Sequence, residues 1–257
     1  RVVETGLKHG TVTVISEGVP YEITTFRSDG AYLDHRRPQR VNFVHTLRED
    51  LLRRDFTINA MAVGLDGVIQ DPFGGQQDLK DGVIRCVGNP ETRFSEDALR
   101  ILRGLRFASR LGFSIAPETA AAMERQKALL AYVSGERIYK ELTGILIGAY
   151  AQQVLEQYGS VLTAVLPELQ PSMGFLQHSP FHNRDVWQHT LEALGKSQPD
   201  PLVRWALLLH DLGKPYCFTL DNRGIGHFYG HPQRSMELAE IIFDRLHGDK
   251  KTRDTVC

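Results

Sequence analysis

The 257-residue sequence lacks a strong excess of charge of either sign, because 30 basic residues stand against 31 acidic ones for a formal net charge of −1. This balance excludes a global polycation, so any RNA-binding surface has to be local. The sequence also lacks an apolar run of membrane-spanning length and a signal-peptide pattern, which predicts no membrane partner. Its three cysteines have no metal-type spacing and are odd in number, which favours a reducing cytoplasm.

What is present is the composition of a soluble globular protein, 42% hydrophobic and 24% charged, in a chain long enough for one large or two ordinary domains. The first ninety residues contain two alternating β-rich patterns, at 10–27 and 60–70, which predict hairpins with turns at Glu17-Gly18 and Asp66-Gly67. From Ser95 the pattern is helical. The predicted fold class is therefore α+β, a sheet-containing head followed by a helical neck and a helical domain. The predicted helices run at about 95–111, 117–130, 135–148 and 150–158, with a further helical block from about 182 to the end.

The stretch 53–60, Arg-Arg-Asp-Phe-Thr-Ile-Asn-Ala, places two guanidinium groups, a carboxylate and a carboxamide beside an apolar run. Arginine binds phosphate oxygens in a bidentate fork, and Asp or Asn can hold sugar hydroxyls or orient an arginine. Arg53, Arg54, Asp55 and Asn59 are therefore candidates for a nucleotide site. A solvated charged face at a helix end is the alternative interpretation.

The stretch 95–107 predicts one helix with Ser95 as its N-cap and apolar residues on one side. Asp97 and Arg100 are three residues apart, so the prediction puts them on one helical face. A carboxylate beside a guanidinium can read a base edge, the first accepting from an amine and the second donating to ring nitrogen or carbonyl oxygen. An ordinary intrahelical ion pair is the alternative.

A second cluster of chemically active residues lies in the last hundred residues. His189 follows Trp187-Gln188, and His210-Asp211 ends an apolar helix pattern before Leu212-Gly213-Lys214-Pro215. Imidazole and carboxylate are suitable ligands for divalent transition metals, so His189, His210 and Asp211 are candidate metal ligands. His227 and His231 are additional candidates, and His182 is a candidate pocket residue.

Six blocks in order resemble the class II tRNA nucleotidyltransferases and their poly(A) polymerase relatives over roughly residues 1 to 145. The blocks are 22–27 (Glu-Ile-Thr-Thr-Phe-Arg), 34–38 (Asp-His-Arg-Arg-Pro), 53–60, 71–75 (Asp-Pro-Phe-Gly-Gly), 96–103 (Glu-Asp-Ala-Leu-Arg-Ile-Leu-Arg) and 136–142 (Glu-Arg-Ile-Tyr-Lys-Glu-Leu). The resemblance implies template-independent addition of C and A to tRNA 3′ ends from CTP and ATP with Mg²⁺. The second cluster resembles the HD phosphohydrolase superfamily, with its H…HD…D pattern.

The resemblance also implies residue roles. Arg53, Arg54, Asp55 and Asn59 would contact sugar and phosphates, Asp97 and Arg100 would read the base, and Arg103 would add phosphate or packing contacts. The segment Asp71, Gly74 and Gly75 resembles the family's hinge loop, and Glu22 would be a supporting carboxylate on the strand beside the catalytic centre. Arg137, with Glu136 and Glu141, is expected to stabilise a neck helix rather than to touch substrate.

The resemblance predicts a head that is apparently N-terminally truncated, because the family's metal-binding aspartate pair normally precedes Thr5 and is not in this sequence. We therefore expect this chain alone to be inactive in nucleotide transfer. The predicted domains are residues 1–90, part of the head; 91–165, a helical neck that binds nucleotide and RNA; and 166–257, an HD-like domain. The closing Asp of the HD pattern would lie beyond Cys257, so we expect an incomplete second metal site.

Three other functions compete with CCA addition. A poly(A) polymerase of the same family is one, although such polymerases usually carry a basic tail instead of an HD block. A metal-dependent phosphohydrolase whose head only grips RNA is the second, and a non-catalytic RNA- or nucleotide-binding fragment is the third. Metal-dependent phosphatase activity without CTP incorporation would favour the phosphohydrolase.

Overall fold

The computed structural model describes residues 1–6, 10–30, 41–178 and 184–257. The sequence block at 34–38 and the candidate pocket residue His182 lie outside these described residues. Within them, short strands dominate the first part of the chain and helices the remainder, which confirms the α+β class. Among the described helices none has both the length and the apolar character needed to cross a membrane.

The strands found within the described residues are short and form five small sheets. An antiparallel three-stranded sheet has the order β1-β2-β3; the pairs β4-β5, β6-β7 and β10-β11 are antiparallel, and β8-β9 is parallel. The strands are β1 (Val2–Gly6), β2 (Thr11–Ser16), β3 (Val19–Thr24), β4 (Arg27–Asp29), β5 (Val41–Phe43), β6 (Ala62–Val63), β7 (Ile69–Gln70), β8 (Val83–Ile84), β9 (Ser114–Ile115), β10 (Thr219–Leu220) and β11 (Gly226–His227).

Twelve α-helices lie in the described part of the chain. They are α1 (Leu47–Leu52), α2 (Gly75–Asp81), α3 (Pro90–Glu96), α4 (Leu99–Leu111), α5 (Pro117–Gln126), α6 (Gly135–Leu146), α7 (Ala151–Gln157), α8 (Gly159–Leu162), α9 (Val186–Lys196), α10 (Pro201–Leu209), α11 (His231–Leu246) and α12 (Lys250–Val256). Short 3₁₀ turns occur at Thr57–Asn59, Lys127–Tyr132, Pro167–Ser172 and Lys214–Tyr216.

Both predicted hairpins are confirmed. β2 pairs with β3 around Glu17 and Gly18, which have φ of 52° and 81°. β6 pairs with β7 around a turn in which the Asp66 side chain accepts a hydrogen bond from the Val68 N–H and Gly67 has φ of 76°. The local turn chemistry was sufficient to find them, because these positive φ values favour glycine. The β10–β11 hairpin was not predicted.

The prediction of one helix beginning at Ser95 is wrong, because the chain breaks at Asp97. The earlier helix α3 has its own cap: the Asn89 side chain accepts from the Thr92 N–H, and Pro90 is the first helical residue. Asp97 is extended, with φ of −144° and ψ of 102°, and α4 begins at Leu99. The Asp97 carboxylate accepts a hydrogen bond from the Leu99 N–H at 3.1 Å, so it satisfies one of the unpaired donors of α4.

One continuous cluster of buried apolar side chains runs from the segment after α1 to α11. Phe56 and Phe94 contribute to it near the start, and Trp205 and Phe243 near the end, all four fully or almost fully buried. Helix α4 lies centrally in this cluster, since Ile101, Leu102 and Leu105 on its buried side are all fully buried. The core therefore holds one face of α4 rigidly, and its other face is available for polar chemistry. The predicted domain boundaries stay predictions.

The segment after α1 is fixed against the strand-like segment that follows β8. The Asp55 carbonyl accepts from the Val87 N–H at 3.0 Å, and the Thr57 N–H donates to the Arg85 carbonyl at 2.9 Å. Phe56, between them, is fully buried. This pairing places residues 53–59 directly opposite the polar face of α4.

Candidate nucleotide-binding site and candidate metal site

A cavity of about 610 Å³ opens between the segment after α1, the start of α4 and helix α6. It brings together all seven residues that the sequence predicted to bind nucleotide. Its lining residues are Arg53, Arg54, Asp55, Asn59, Asp97, Leu99, Arg100, Arg103, Phe107 and Arg137. Five of these ten side chains are arginines, which makes the cavity suited to an anionic ligand.

One ion pair between two residues that line the cavity joins Asp55 to Arg103. Asp55 is almost completely buried, and its Oδ2 accepts from Arg103 Nε at 2.7 Å. Its Oδ1 accepts from the Phe56 N–H at 2.9 Å, so both carboxylate oxygens are bonded. Only the Nε of Arg103 is used in this pair. Within the described residues, the two terminal nitrogens of Arg103 make no hydrogen bond, and its side chain is 34% exposed.

The paired arginines after α1 are held by a carboxylate that the sequence analysis did not single out. Asp50 is 5% exposed, and its Oδ1 accepts from Arg53 Nε and Nη2 at 3.0 and 2.9 Å and from the Arg27 N–H at 3.1 Å. Arg54 Nη2 lies 3.9 Å from Asp50 Oδ2, and Arg54 Nη1 donates to the Asn59 carbonyl at 3.0 Å. The side chain of Arg54 is 44% exposed, so it is the more accessible of the two at the cavity.

Asp97 and Arg100 meet at the cavity but do not share a helical face as predicted, because Asp97 precedes α4. Each has another partner. Asp97 Oδ2 accepts from Arg137 Nη2 at 2.7 Å, and Arg100 Nη1 donates to Glu96 Oε2 at 2.6 Å. Because Asp97 lies before α4, the alternative of an ion pair within one helix is wrong.

Arg100 also ties α4 to the segment after α1. Its Nη2 donates to the Arg53 carbonyl at 2.8 Å, and the neighbouring Arg93 Nη1 donates to the Leu52 carbonyl at the same distance. Glu96 binds both guanidinium groups, at 2.5 Å to Arg93 and 2.6 Å to Arg100. Two arginines thus satisfy carbonyls at the C-terminal end of α1, a favourable position for cations.

Arg137 lines the cavity although the sequence analysis assigned it to helix stabilisation. It reaches from α6 to Asp97, and its Nη1 is a buried donor without a hydrogen bond within the described residues. Of the other two residues of its block, Glu141 accepts from Arg106 Nε at 2.5 Å between α4 and α6, and Glu136 is exposed in the first turn of α6. Asp97 and Arg137 are forty residues apart in the chain, so no local sequence pattern could have identified Arg137 as a cavity residue.

The candidate hinge forms the N-terminal end of α2. Asp71 Oδ1 accepts from the Gly75 N–H at 2.7 Å and its Oδ2 from the Gln76 N–H at 2.8 Å. Burial acts to raise the pKa of the Asp71 carboxyl, but these backbone hydrogen bonds outweigh it and leave the pKa below its usual range. Gly74 has φ of 77°, and a Cβ on Gly75 would lie 2.3 Å from the Thr57 carbonyl oxygen. Both glycines are therefore required by the local geometry.

Glu22 lies on β3, opposite Thr13 of β2, and its side chain is exposed. It does not line the cavity. The structure therefore gives it no contact with the other candidate site residues, and its role as a supporting carboxylate stays a prediction.

The candidate metal ligands converge around Asp211, at the end of α10. The ligand atoms of His189, His210 and Asp211 all lie within 4.8 Å of one another. Asp211 is 4% exposed, and its Oδ2 is 3.1 Å from His210 Nε2 and 3.8 Å from His189 Nε2. On the other side of the carboxylate, His231 Nε2 lies 3.5 Å from Oδ1. His227 is not in this group, because it pairs with Asp221 at 3.2 Å.

Two of these imidazoles have an orientation that favours a cation beside Asp211. His210 Nδ1 lies 2.8 Å from the Leu207 carbonyl, and His231 Nδ1 lies 2.8 Å from the Phe228 carbonyl. A carbonyl oxygen can only accept, so each Nδ1 carries the hydrogen, and in the neutral ring each Nε2 directs a lone pair at the carboxylate. Such second partners orient metal-binding histidines.

A lysine shares the same carboxylate. Lys214 Nζ lies 2.8 Å from Asp211 Oδ2 and donates to Gln177 Oε1 at 2.9 Å, and both Lys214 and Gln177 are buried. Asp211 Oδ2 nevertheless has no hydrogen bond of good angular geometry within the described residues. Burial acts to raise the pKa of Asp211, but His210 and Lys214 outweigh it and lower the pKa to about 2. Burial acts to lower the pKa of His210, and Asp211 raises it to above its usual value.

Comparisons with known proteins agree with this architecture. A family model described as the poly A polymerase head domain matches residues 1–85, and one described as a probable RNA and SrmB-binding site of polymerase A matches residues 112–173. The crystal structure of the Bacillus stearothermophilus CCA-adding enzyme in complex with CTP is similar with a TM-score of 0.62 and 32% identity, over 100% of this chain and 62% of that one. The fold is thus that of a nucleotidyltransferase head followed by helices.

Comparison with similar sequences identifies the family to which this nucleotidyltransferase fold belongs. The CCA-adding enzyme of Geobacillus thermodenitrificans is 44% identical over 214 residues, which are 83% of this chain and 50% of the relative. The CCA-adding enzyme of Leuconostoc mesenteroides subsp. mesenteroides is 44% identical over 253 residues, 98% of this chain and 59% of the relative. The chain belongs to the class II tRNA nucleotidyltransferases, the family of bacterial CCA-adding enzymes and poly(A) polymerases. It spans about half the length of these relatives, and enzymes of this family generally depend on a divalent metal.

Proposed function

We propose that this chain supplies the nucleotide-binding cavity of a CCA-adding tRNA nucleotidyltransferase, which extends tRNA 3′ ends with C and A from CTP and ATP. The observation that carries the proposal is the position of the Arg103 side chain. Asp55 holds its Nε, and the guanidinium lies on the same cavity as Asp97 and Arg100. An arginine preoriented in this way is suited to phosphate oxygens, which it binds with two parallel N–H groups.

The remaining cavity residues divide between the ends of a nucleotide. Arg54, exposed at the cavity, would share the phosphates with Arg103, and Asn59 would reach the sugar. Asp97 would accept from the exocyclic amine that both cytosine and adenine carry. Its two hydrogen bonds, to Leu99 and Arg137, leave carboxylate lone pairs available, because an ionised carboxylate has about four acceptor positions. Arg100, fixed beside it, is its proposed partner.

The proposed metal for transfer is Mg²⁺, which binds hard oxygen ligands and the phosphates of its substrate. When bound, it neutralises the triphosphate and activates the attacking hydroxyl. Among the described residues, the carboxylates that line the cavity are Asp55 and Asp97. Both already bind arginines, so the cavity lining offers no other carboxylate to hold Mg²⁺. The hinge at Asp71, Gly74 and Gly75 would let the head adjust to C and then to A.

The three free cysteines support a cytoplasmic location.

Asp97→Ala is expected to weaken CTP and ATP together, by about 1–3 kcal/mol, the usual value of a base-edge contact of this type. Calorimetric titration of both nucleotides measures it. Asp97→Asn retains an oxygen for the Leu99 N–H and separates the loss of base contact from the loss of the cap of α4. Asp81→Ala removes an exposed carboxylate outside the cavity and serves as the matched control. Unchanged affinity in Asp97→Ala would remove the base-reading role.

Poly(A) addition by the same cavity is distinguished by the choice of nucleotide. A CCA-adding site binds CTP and ATP in competition, because both occupy the position beside Asp97. A poly(A) polymerase site would bind ATP, and CTP would not compete measurably for that site. Titration of ATP in the presence of saturating CTP therefore separates the two.

A second function is favoured by the cluster around Asp211. We propose that His189, His210 and Asp211 bind one divalent transition metal. His231, whose Nε2 lies 3.5 Å from Asp211 Oδ1, is a further candidate ligand. The orientation of the His210 and His231 rings supports this proposal, because neutral imidazole nitrogens facing a carboxylate repel it unless a cation or proton lies between them. Such a metal would suit an HD-type phosphohydrolase acting on phosphate esters.

A further inference from the structure

The ring of Phe107 is the surface on which two arginines of α4 rest. Arg103 Cζ lies 5.7 Å and Arg106 Cζ 4.9 Å from the ring centroid. The two guanidinium groups are each neutralised elsewhere, Arg103 by Asp55 and Arg106 by Glu141. Phe107 is half-buried and lines the candidate cavity. None of the roles described so far uses it.

We infer that Phe107 is a positioning residue, which fixes the plane of the Arg103 guanidinium so that its two terminal nitrogens face the phosphates of the nucleotide. The inference rests on the proposed role of Arg103 in binding phosphate. It goes further by naming the side chain that, together with Asp55, fixes the plane of that guanidinium.

One hydrogen bond alone does not define that orientation. The bond from Arg103 Nε to Asp55 fixes the position of one nitrogen, while the guanidinium plane can still turn about it. An aromatic face removes this freedom, because the cation is attracted to the negative ring face and stacks over it. A side chain already fixed in its bound geometry loses less conformational entropy when a ligand arrives.

The ring itself is held by the same structural unit that holds the carboxylate. Phe56 packs edge-on against Phe107, with 5.9 Å between centroids and 83° between planes. Phe56 is fully buried, and its N–H donates to Asp55 Oδ1. The contacts therefore form a closed cycle from Asp55 to Arg103, Phe107, Phe56 and back to Asp55. The buried core thereby fixes both the carboxylate and the ring that contact Arg103.

The test compares three ligands: inorganic tripolyphosphate, CTP and cytidine. In this chain, Phe107→Leu retains an apolar side chain but removes the ring, and we expect it to bind tripolyphosphate and CTP about five-fold more weakly, the typical effect of losing one cation–π contact. Cytidine affinity stays at the wild-type value. Phe107→Tyr keeps an aromatic face and retains wild-type affinity for all three. Phe107→Met serves as a second aliphatic variant in case leucine disturbs folding, which circular dichroism reports.

Arg103→Gln separates this inference from the proposed function. If Arg103→Gln leaves tripolyphosphate affinity unchanged, the phosphate role of Arg103 is wrong. If Arg103→Gln weakens it while the folded aliphatic variants of Phe107 do not, the phosphate role stands and the positioning role of Phe107 is overturned. A loss of cytidine affinity with unchanged tripolyphosphate affinity in Phe107→Leu would show that the ring contacts the base instead, and this too would overturn the positioning role. In the double variant Arg103→Gln, Phe107→Leu we expect no loss beyond that of Arg103→Gln, since Phe107 acts through Arg103.

Discussion

Asp55→Ala is expected to reduce CCA addition by about 100-fold or more, measured in a longer protein of this family that carries the same cavity. Asp55 orients Arg103, and a displacement of about 1 Å in a substrate-positioning group can cost on the order of 100-fold in rate. The substitution also removes the partner of a guanidinium that is only one-third exposed. We therefore expect a loss of about 2–3 kcal/mol in the free energy of unfolding, at or below the lower end of the range for breaking a buried ion pair.

The control for Asp55 is Glu118→Ala, because the Glu118 side chain is 78% exposed and its nearest arginine is 4.0 Å away. It is expected to change neither activity nor stability measurably. Comparison of CTP affinity in this chain shows whether the activity loss arises at the nucleotide. Near wild-type turnover in a folded Asp55→Ala protein would mean that the pair with Arg103 is structural only.

His210→Ala and Asp211→Ala are each expected to lower the affinity for one divalent transition metal by about 100-fold or more. Even second partners of metal ligands commonly contribute 10–100-fold, and these two residues are proposed as ligands themselves. Metal content per chain after equilibrium dialysis, measured by plasma mass spectrometry with zinc, manganese and cobalt, is the observable.

His227→Ala is the matched control for the metal site, because His227 pairs with Asp221 outside the cluster. It should retain the wild-type metal content. His231→Ala tests whether the third imidazole contributes, and an intermediate affinity is expected for it. Equal metal content in wild type, His210→Ala and Asp211→Ala would show that these side chains only pair with each other and with Lys214.

Local patterns were sufficient to identify which residues would meet at the cavity, but not how they would be paired. The sequence placed Arg53, Asp55 and Arg103 in one site, because each lies in a short motif with a definite chemical character. The Asp55–Arg103 and Asp97–Arg137 contacts join residues 48 and 40 positions apart, and such pairs are fixed by tertiary packing. The same reason explains why Arg137 was not singled out as part of the site. Asp50 is different, because it lies three and four residues before Arg53 and Arg54, a helical spacing that the sequence analysis did not use.

The break at Asp97 shows which local signal was underestimated. Ser95 followed by two acidic residues resembles a helix start, yet Asn89-Pro90 supplies the stronger one, an N-cap followed by proline at the first helical position. Once α3 begins there, Ser95 is already inside a helix, and Asp97 becomes the residue between two helices. This position directs its carboxylate to the Leu99 N–H and to Arg137, and so determines what the base would meet.

For the candidate metal site, the sequence predicted which residues would lie together but not how they would be arranged around Asp211. Apolar residues before His210-Asp211 indicated a buried helix end, and the structure confirms that His189 lies nearby. The approach of His231 from α11 and the insertion of Lys214 depend on how α10 and α11 pack, for which the sequence carries no local signal.

The measurement that tests the central claim most directly is calorimetric titration of this chain with CTP, alone and in the presence of ATP. One CTP per chain is expected, with ATP competing for the same cavity, and Arg103→Gln should lower the affinity for both by about ten-fold, the value of a lost charged hydrogen-bonded contact. Independent binding of CTP and ATP, or unchanged affinity in a folded Arg103→Gln protein, would contradict the assignment of this cavity as the nucleotide site.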